Sequence, residues 1–326
     1  MEKNEIKFST HIKDEEIFKT LINNYPMLIT DFYELQRIWF YRSYQAFKDL
    51  DKYLILIYLF KKHLDSYTDY YIKKSFDEFY SQEPFEIQSF NIADVSKELL
   101  IKKETTRRKL MELQEIGVIQ KTKKIIKINQ KAIRIHKPKD VLTAISRLTS
   151  NFSLILYKNK SLKKHYSAEE FKSLFKKNYT YYWRYFLNFQ IPYLIKWKNF
   201  YNNDLETFII MGMIIYNQNL YLRKNFGIDC DESYYKYEYV KNLKKDTMNH
   251  GINAMSISDL TGIPRPTVLR KINILIKLKL IVKDENSLYK LNENSKLLKH
   301  DINNMRQETA KQIGFLLSKF YNFFDY

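Results

Sequence analysis

The chain has 326 residues, with 55 Lys and Arg against 37 Asp and Glu for a formal charge of +18. Its one cysteine, Cys230, excludes an intramolecular disulfide and a cysteine-based metal cluster, and its longest apolar runs, YLILIYLF (53–60) and FIIMGMIIY (208–216), are less than half a membrane-spanning helix. The charge favours a polyanionic partner, but AT-rich codons also enrich lysine, so where the charge is concentrated carries more information than its total.

In chain order, MEKNEIKFSTHIKDEE (1–16) is charged and has no apolar run of a signal peptide, so the expectation is a cytoplasmic, nucleoid-associated chain without a membrane anchor. DFYELQRIWFYRSYQAF (31–47) and DKYLILIYLFKKHLDSYTDYYIKK (51–74) predict two helices broken near Asp49–Asp51. A compact motif follows within about 90–130, ending in the β-like alternation KKIIKINQ (123–130), and then a helix over 139–158. The polar stretch KNKSLKKHYSAEE (158–170) suggests a boundary near residue 160, with units 1–160 and 161–326. Beyond it the order recurs. YYWRYFLNFQIPYLIKWKNF (181–200) and DLETFIIMGMIIYNQNLYLRK (204–224) break near Asn202–Asp204. A second compact motif occupies about 252–292, with the alternation SLYKLNEN (287–294), and a last helix is predicted over 299–324.

A shift of 162 residues lays VSKELLIKKETTRRKLMELQEIGVI (95–119) over ISDLTGIPRPTVLRKINILIKLKLI (257–281) without a gap. Val95 meets Ile257, Ile101 meets Ile263, Leu113 meets Leu275, and two polar residues coincide as well, Thr105 with Thr267 and Arg108 with Arg270. Apolar periodicity alone matches easily by chance; the polar coincidences make it an internal repeat. In the second copy Ser256 or Ser258 is placed to cap a short helix that ends at Thr261–Gly262. Ile263 then plugs the turn, and Pro264 or Pro266 opens the next helix, where a missing N–H costs little. Two short strands around a turn complete a helix-turn-helix with a β wing.

These two stretches resemble the winged helix-turn-helix of bacterial transcriptional regulators of the MarR and IclR type, and the first also carries the E-T-x-x-R pattern of catabolite-activator-type regulators. It departs at Leu100, where the turn usually has Gly; the second departs at Lys279, where the first has Gly117. The resemblance implies a mainly α fold of tandem winged units with long flanking helices and small β wings, arranged as a MarR-like pseudo-dimer in one chain. It further implies that the second helix of each unit enters the major groove of double-stranded DNA. By motif position the contacts are Lys102, Lys103, Glu104, Thr105, Arg107 and Arg108 with wing residues Lys121, Lys123 and Lys124, and Arg265, Thr267, Arg270, Lys271 and Lys283 in the second unit. Arg can bond guanine bidentately, Thr can touch phosphate or a thymine methyl, and Lys neutralises phosphate. Charge concentrates accordingly: residues 97–139 hold fourteen Lys or Arg against four Glu, while 254–291 hold seven against three acids. The first unit is therefore expected to contribute more of the affinity.

No catalytic, cofactor or metal constellation is apparent, and no enzyme is expected. The six histidines are scattered and read as surface or capping residues, and Trp39, Trp183 and Trp197 read as core or subunit interface. The leading expectation is a sequence-specific regulator, with a small-molecule effector as an admissible partner, acting as a monomeric pseudo-dimer or as a homodimer. Two alternatives stand beside it: a plasmid-type replication initiator with two winged helices, and a protein–protein assembly module.

Overall fold

A computed structural model describes residues 12–69, 72–226 and 250–322. His11, Cys230 and the last two residues of the helix predicted over 299–324 lie outside the described residues. The first half runs α1 (Asp14–Asn23), α2 (Tyr25–Phe47), α3 (Leu50–Asp69), α4 (Phe76–Ser81), β1 (Phe85–Ile87), α5 (Ile92–Leu99), α6 (Lys103–Glu115), β2 (Ile119–Thr122), β3 (Ile125–Ile128), α7 (Gln130–His136) and α8 (Lys139–Lys158). The second runs α9 (Ala168–Lys177), α10 (Tyr179–Phe200), α11 (Leu205–Phe226), α12 (Ala254–Thr261), α13 (Arg265–Lys277), β4 (Ile281–Lys283), β5 (Tyr289–Leu291) and, after a π-helical turn over Leu298–Ile302, α14 (Asn303–Tyr321). The described chain is thus mainly helical, with a few short antiparallel strands. β1, β3 and β2 form one sheet in that order; β4 pairs with β5, and an isolated bridge from Ile252 to Tyr289 adds a remnant of a third strand.

The breaks within the long helix pairs have matching causes. α2 ends at Lys48 in the left-handed region (φ 51°), and the Asp49 carboxylate accepts from the Asp51 and Lys52 amides at 3.0 and 3.2 Å. After α10 come Asn202 and Asn203, both left-handed, and the Asp204 carboxylate accepts from the Thr207 amide at 3.1 Å and its hydroxyl at 2.7 Å. A short acidic side chain before a helix satisfies orphan N–H groups there and complements the positive end of the helix.

Packing crosses the middle of the chain reciprocally. α1 lies on α14 and α9 on α8, while α2 packs against α11 and α3 against α10. Where α2 meets α10, the buried Gln36 and Gln190 amides each donate to the other, at 2.9 and 2.8 Å. Around them lies an aromatic core in which Trp39 and Trp183 stand 5.9 Å apart and Trp197 stacks on Phe208 at 5.3 Å. The boundary placed near residue 160 does fall between α8 and α9, but one continuous buried cluster runs through both halves. The run Leu54–Phe60 of α3 is buried on every side because helices cover it all round, which is why it reads as uniformly apolar. No helix of the described residues is long and apolar enough to cross a membrane.

Two histidines depart from the surface role expected of them. His136 is 1% exposed, accepts from the Trp183 indole N–H at 2.8 Å and stacks on Phe60; His63 is half-buried and stacked on Phe85. Burial, helped by the nearby Arg42 charge, pushes His136 down to about 3, and burial with the Lys74 charge pushes His63 down to about 4. Both rings stay neutral in the fold while the unfolded chain takes up protons below about 6.5. Stability attributable to them is therefore complete above pH 6.5 and declines as pH falls towards the folded values, by up to about 1.4 kcal/mol per pH unit and ring. Urea midpoints of the wild type and His136→Phe between pH 7.5 and 5 check this. The variant should lose less stability on acidification; parallel curves would contradict a buried neutral imidazole.

Candidate nucleic-acid interface

The two compact modules share most of their local bonding, at or within one residue of an offset of 162. Asn91 caps α5 by accepting from the Ala93 amide, and Asn253 caps α12 by accepting from the Ser256 amide. Ser256 and Ser258 are therefore not the cap. Instead Ser258 Oγ donates to the Ile263 carbonyl across the turn at 2.7 Å, as Ser96 Oγ does to the Ile101 carbonyl at 2.6 Å. Gly262 takes the left-handed turn conformation at φ 71°; Leu100 takes the same conformation at φ 49° without being glycine, so the two copies differ in the residue and share the backbone path. At the far end Gly117 and Lys279 are both left-handed, and Asn129 and Asn292 donate to their carbonyls. Pro264 precedes α13, with Arg265 as its first residue and Pro266 as its second.

Burial repeats in step. Val95, Leu99, Ile101, Thr106, Leu110, Leu113, Val118 and Ile119 are buried, and so are Ile257, Thr261, Ile263, Val268, Ile272, Leu275, Leu280 and Ile281 at the same offset. Eight matched positions form each small core, which leaves the opposite face of α6 and α13 to solvent. On α6 that face exposes Lys103, Glu104, Arg107 and Arg108, with Lys102 just before it and Thr105 half-buried beside it. Arg108 approaches Glu112 only loosely, at 3.7 Å. On α13 Arg265 and Arg270 are exposed and Thr267 is half-buried, like Thr105. Neither helix has a side-chain cap at its N-terminus.

The two hairpins differ. Lys123 and Lys124 stand exposed at the β2–β3 turn with Lys121 half-buried on β2. On the β4–β5 hairpin Lys283 is exposed, but Asp284 holds Lys290 at 2.9 Å and accepts from the Leu288 amide. The Lys290 ammonium, with that amide, keeps the Asp284 carboxyl below the usual carboxylate range.

One residue expected on the DNA-facing surface is corrected. Lys271 does not face outward with Arg270: its side chain is 11% exposed and pairs with Asp204 at 2.5 Å and Glu206 at 3.2 Å. Burial pushes the Asp204 carboxyl up, but Lys271 and Thr207 outweigh it and hold the group below its ordinary value. Lys109, the residue at the same position of α6, pairs with Asp49 in the same way. The signal for this role is the aligned repeat itself, where Lys109 and Lys271 coincide.

Among the described residues no group of His, Cys, Asp and Glu could hold a metal ion. A cleft of about 560 Å³ between α10 and α14 has aromatic walls at Tyr185, Phe189 and Phe315, with Arg184 and Lys311 beside them. No family model, curated protein or solved structure matches the chain.

Proposed function

We propose that the protein is a sequence-specific, double-stranded-DNA-binding transcriptional regulator that uses two winged helix-turn-helix modules in one chain. The observation that carries this reading is the duplicated module: an asparagine cap, the turn bond and the small core recur at one offset, and both copies expose an arginine, Arg108 and Arg270, at the same helical position. A helix that buries one face in a small core and offers basic and hydroxyl side chains on the other suits insertion into a major groove, and a basic hairpin beside it suits the phosphate backbone. In this reading Lys102, Lys103, Glu104, Thr105, Arg107 and Arg108 with Lys121, Lys123 and Lys124 form one contact surface. Arg265, Thr267, Arg270 and Lys283 form the other, without Lys271.

Selecting duplexes from a random pool gives the preferred site, and Arg108→Ala and Arg270→Ala are then titrated on that site and on random duplex. Loss of a base-reading arginine should weaken specific binding by about 1–3 kcal/mol while random-sequence binding changes much less. Equal losses on both would make the arginine a phosphate contact. A pseudo-palindromic selected site supports regulation, and direct repeats would favour the replication-initiator alternative. A protein-binding role has support in both modules: Met111 and Ile116 are 55% and 40% exposed on the first, and Ile274, Leu278 and Val282 are 38%, 41% and 42% exposed on the second. If Arg270→Ala changes neither kind of DNA binding, that role is preferred for the second module.

A further inference from the structure

Lys109 and Lys271 point inward, away from the surface proposed for DNA, and end on equivalent atoms of the two helix-pair turns. Each is nearly enclosed, 14% and 11% exposed, and each reaches the aspartate that caps the next long helix: Asp49 before α3 and Asp204 before α11. Lys52 extends the first clasp by pairing with Glu112 of α6 at 2.8 Å, and Glu206 extends the second by pairing with Lys271. The two turns do not lie apart. Asp49, Asp51, Asn203, Asp204, Glu206 and Lys271 line one cleft of about 330 Å³, and Lys198 at the end of α10 crosses to Asp51 at 2.7 Å. Both outer helices are thus fastened to a common charged centre in the interlocked long helices.

Resting on the DNA-binding reading above, we propose that Lys109 and Lys271 are positioning residues whose ion pairs with Asp49 and Asp204 fix the separation and relative angle of α6 and α13, and so the spacing of the two half-sites the chain accepts. Partly buried charge pairs suit this task, because an ammonium held by a carboxylate that is itself committed to a helix cap has few alternative positions. The apolar packing of α6 on α3, and of α13 on α11, supplies adhesion without such a directional constraint.

The test uses the full chain with both clasps neutralised, Lys109→Met with Asp49→Asn and Lys271→Met with Asp204→Asn. Asparagine keeps the capping oxygen, and removing both members of each pair leaves no enclosed ammonium; only the Glu206 carboxylate, 24% exposed, loses its cation. Wild type and variant are titrated on the selected site, on a single half-site, and on sites with one or two base pairs inserted between halves. Wild type should lose at least about tenfold in affinity on insertion, as expected when rigid geometry forbids simultaneous engagement. The variant should lose less than about threefold while matching wild type on the half-site. Undiminished spacing discrimination in the variant overturns the proposal and leaves the DNA-binding reading standing. Equal weakening on half-site and full site also overturns it, since that is the signature of a merely structural role. Failure of wild type to bind any duplex overturns both. A second measurement needs no DNA: spin labels at Glu115→Cys and Lys277→Cys, with Cys230→Ser, should give a narrow distance distribution that broadens on clasp neutralisation. If the fourfold variant is too unstable to purify, Lys109→Met with Asp49→Asn alone is the milder form, since Glu112 keeps Lys52 there, and an unbroadened distribution in it counts against the proposal.

Discussion

Neutralising Lys121, Lys123 and Lys124 together is expected to flatten the dependence of log affinity on log salt by up to about 2.7, from ~0.9 for each phosphate no longer neutralised. All three sit on the β2–β3 hairpin, two of them exposed at its turn, and none of the three has an acidic neighbour within ion-pairing distance among the described residues. The β4–β5 hairpin makes the contrast. There Lys283 stands next to Asp284 and Glu285, and Lys290 is already held by Asp284. Removing Lys283 should change the salt slope by no more than ~0.9, the share of one phosphate. The measurement is a set of binding isotherms at several salt concentrations for the two variants. A triple variant with the wild-type slope would take the first hairpin off the DNA and end the expected asymmetry between modules.

Trp183→Ala is expected to cost about 3–5 kcal/mol of folding stability, the range for deleting a large buried aromatic. Trp183 is 2% exposed, packs against Trp39, Tyr179 and Phe186, and donates to His136, so its loss opens a cavity and leaves a buried imidazole nitrogen without its donor. Trp39 belongs to the first half and Trp183 to the second, and α1 with α14 and α9 with α8 tie the halves reciprocally. The substitution should therefore lower one common unfolding transition. Denaturant curves followed by circular dichroism and by tryptophan fluorescence should shift together; a transition that splits into two would show halves that fold separately.

Much of this fold can be read from the residues because it depends on local rules. The breaks at Asp49–Asp51 and Asn202–Asp204 follow from short acidic and asparagine side chains, and the helix predicted over 139–158 coincides with α8. Thr105 with Thr267 and Arg108 with Arg270 reveal the repeat. Two kinds of feature are harder to read. Ser96 with Ser258, Asn91 with Asn253 and Lys109 with Lys271 are identical pairs in the same register, yet each looks like an ordinary polar helix residue until its partner is known; Lys271 therefore reads as an outer-face residue. The exchange of α1 and α9 between halves is not legible at all, since an amphipathic helix specifies an apolar face and not which helix covers it. His136 is hidden for a related reason: a lone histidine is buried only when a specific donor such as the Trp183 indole awaits it.

The proposed binding of duplex DNA through two outward-facing helices underlies the salt-slope and arginine expectations, and its sharpest test is titration of the wild-type chain onto its selected duplex across a range of salt concentrations. The expected result is tight binding at low salt, a log–log slope of several units that reflects multiple phosphate contacts, and a preference for the selected duplex over random sequence that survives as salt rises. Absence of duplex binding at low salt, or an affinity indifferent to salt and sequence, would contradict it.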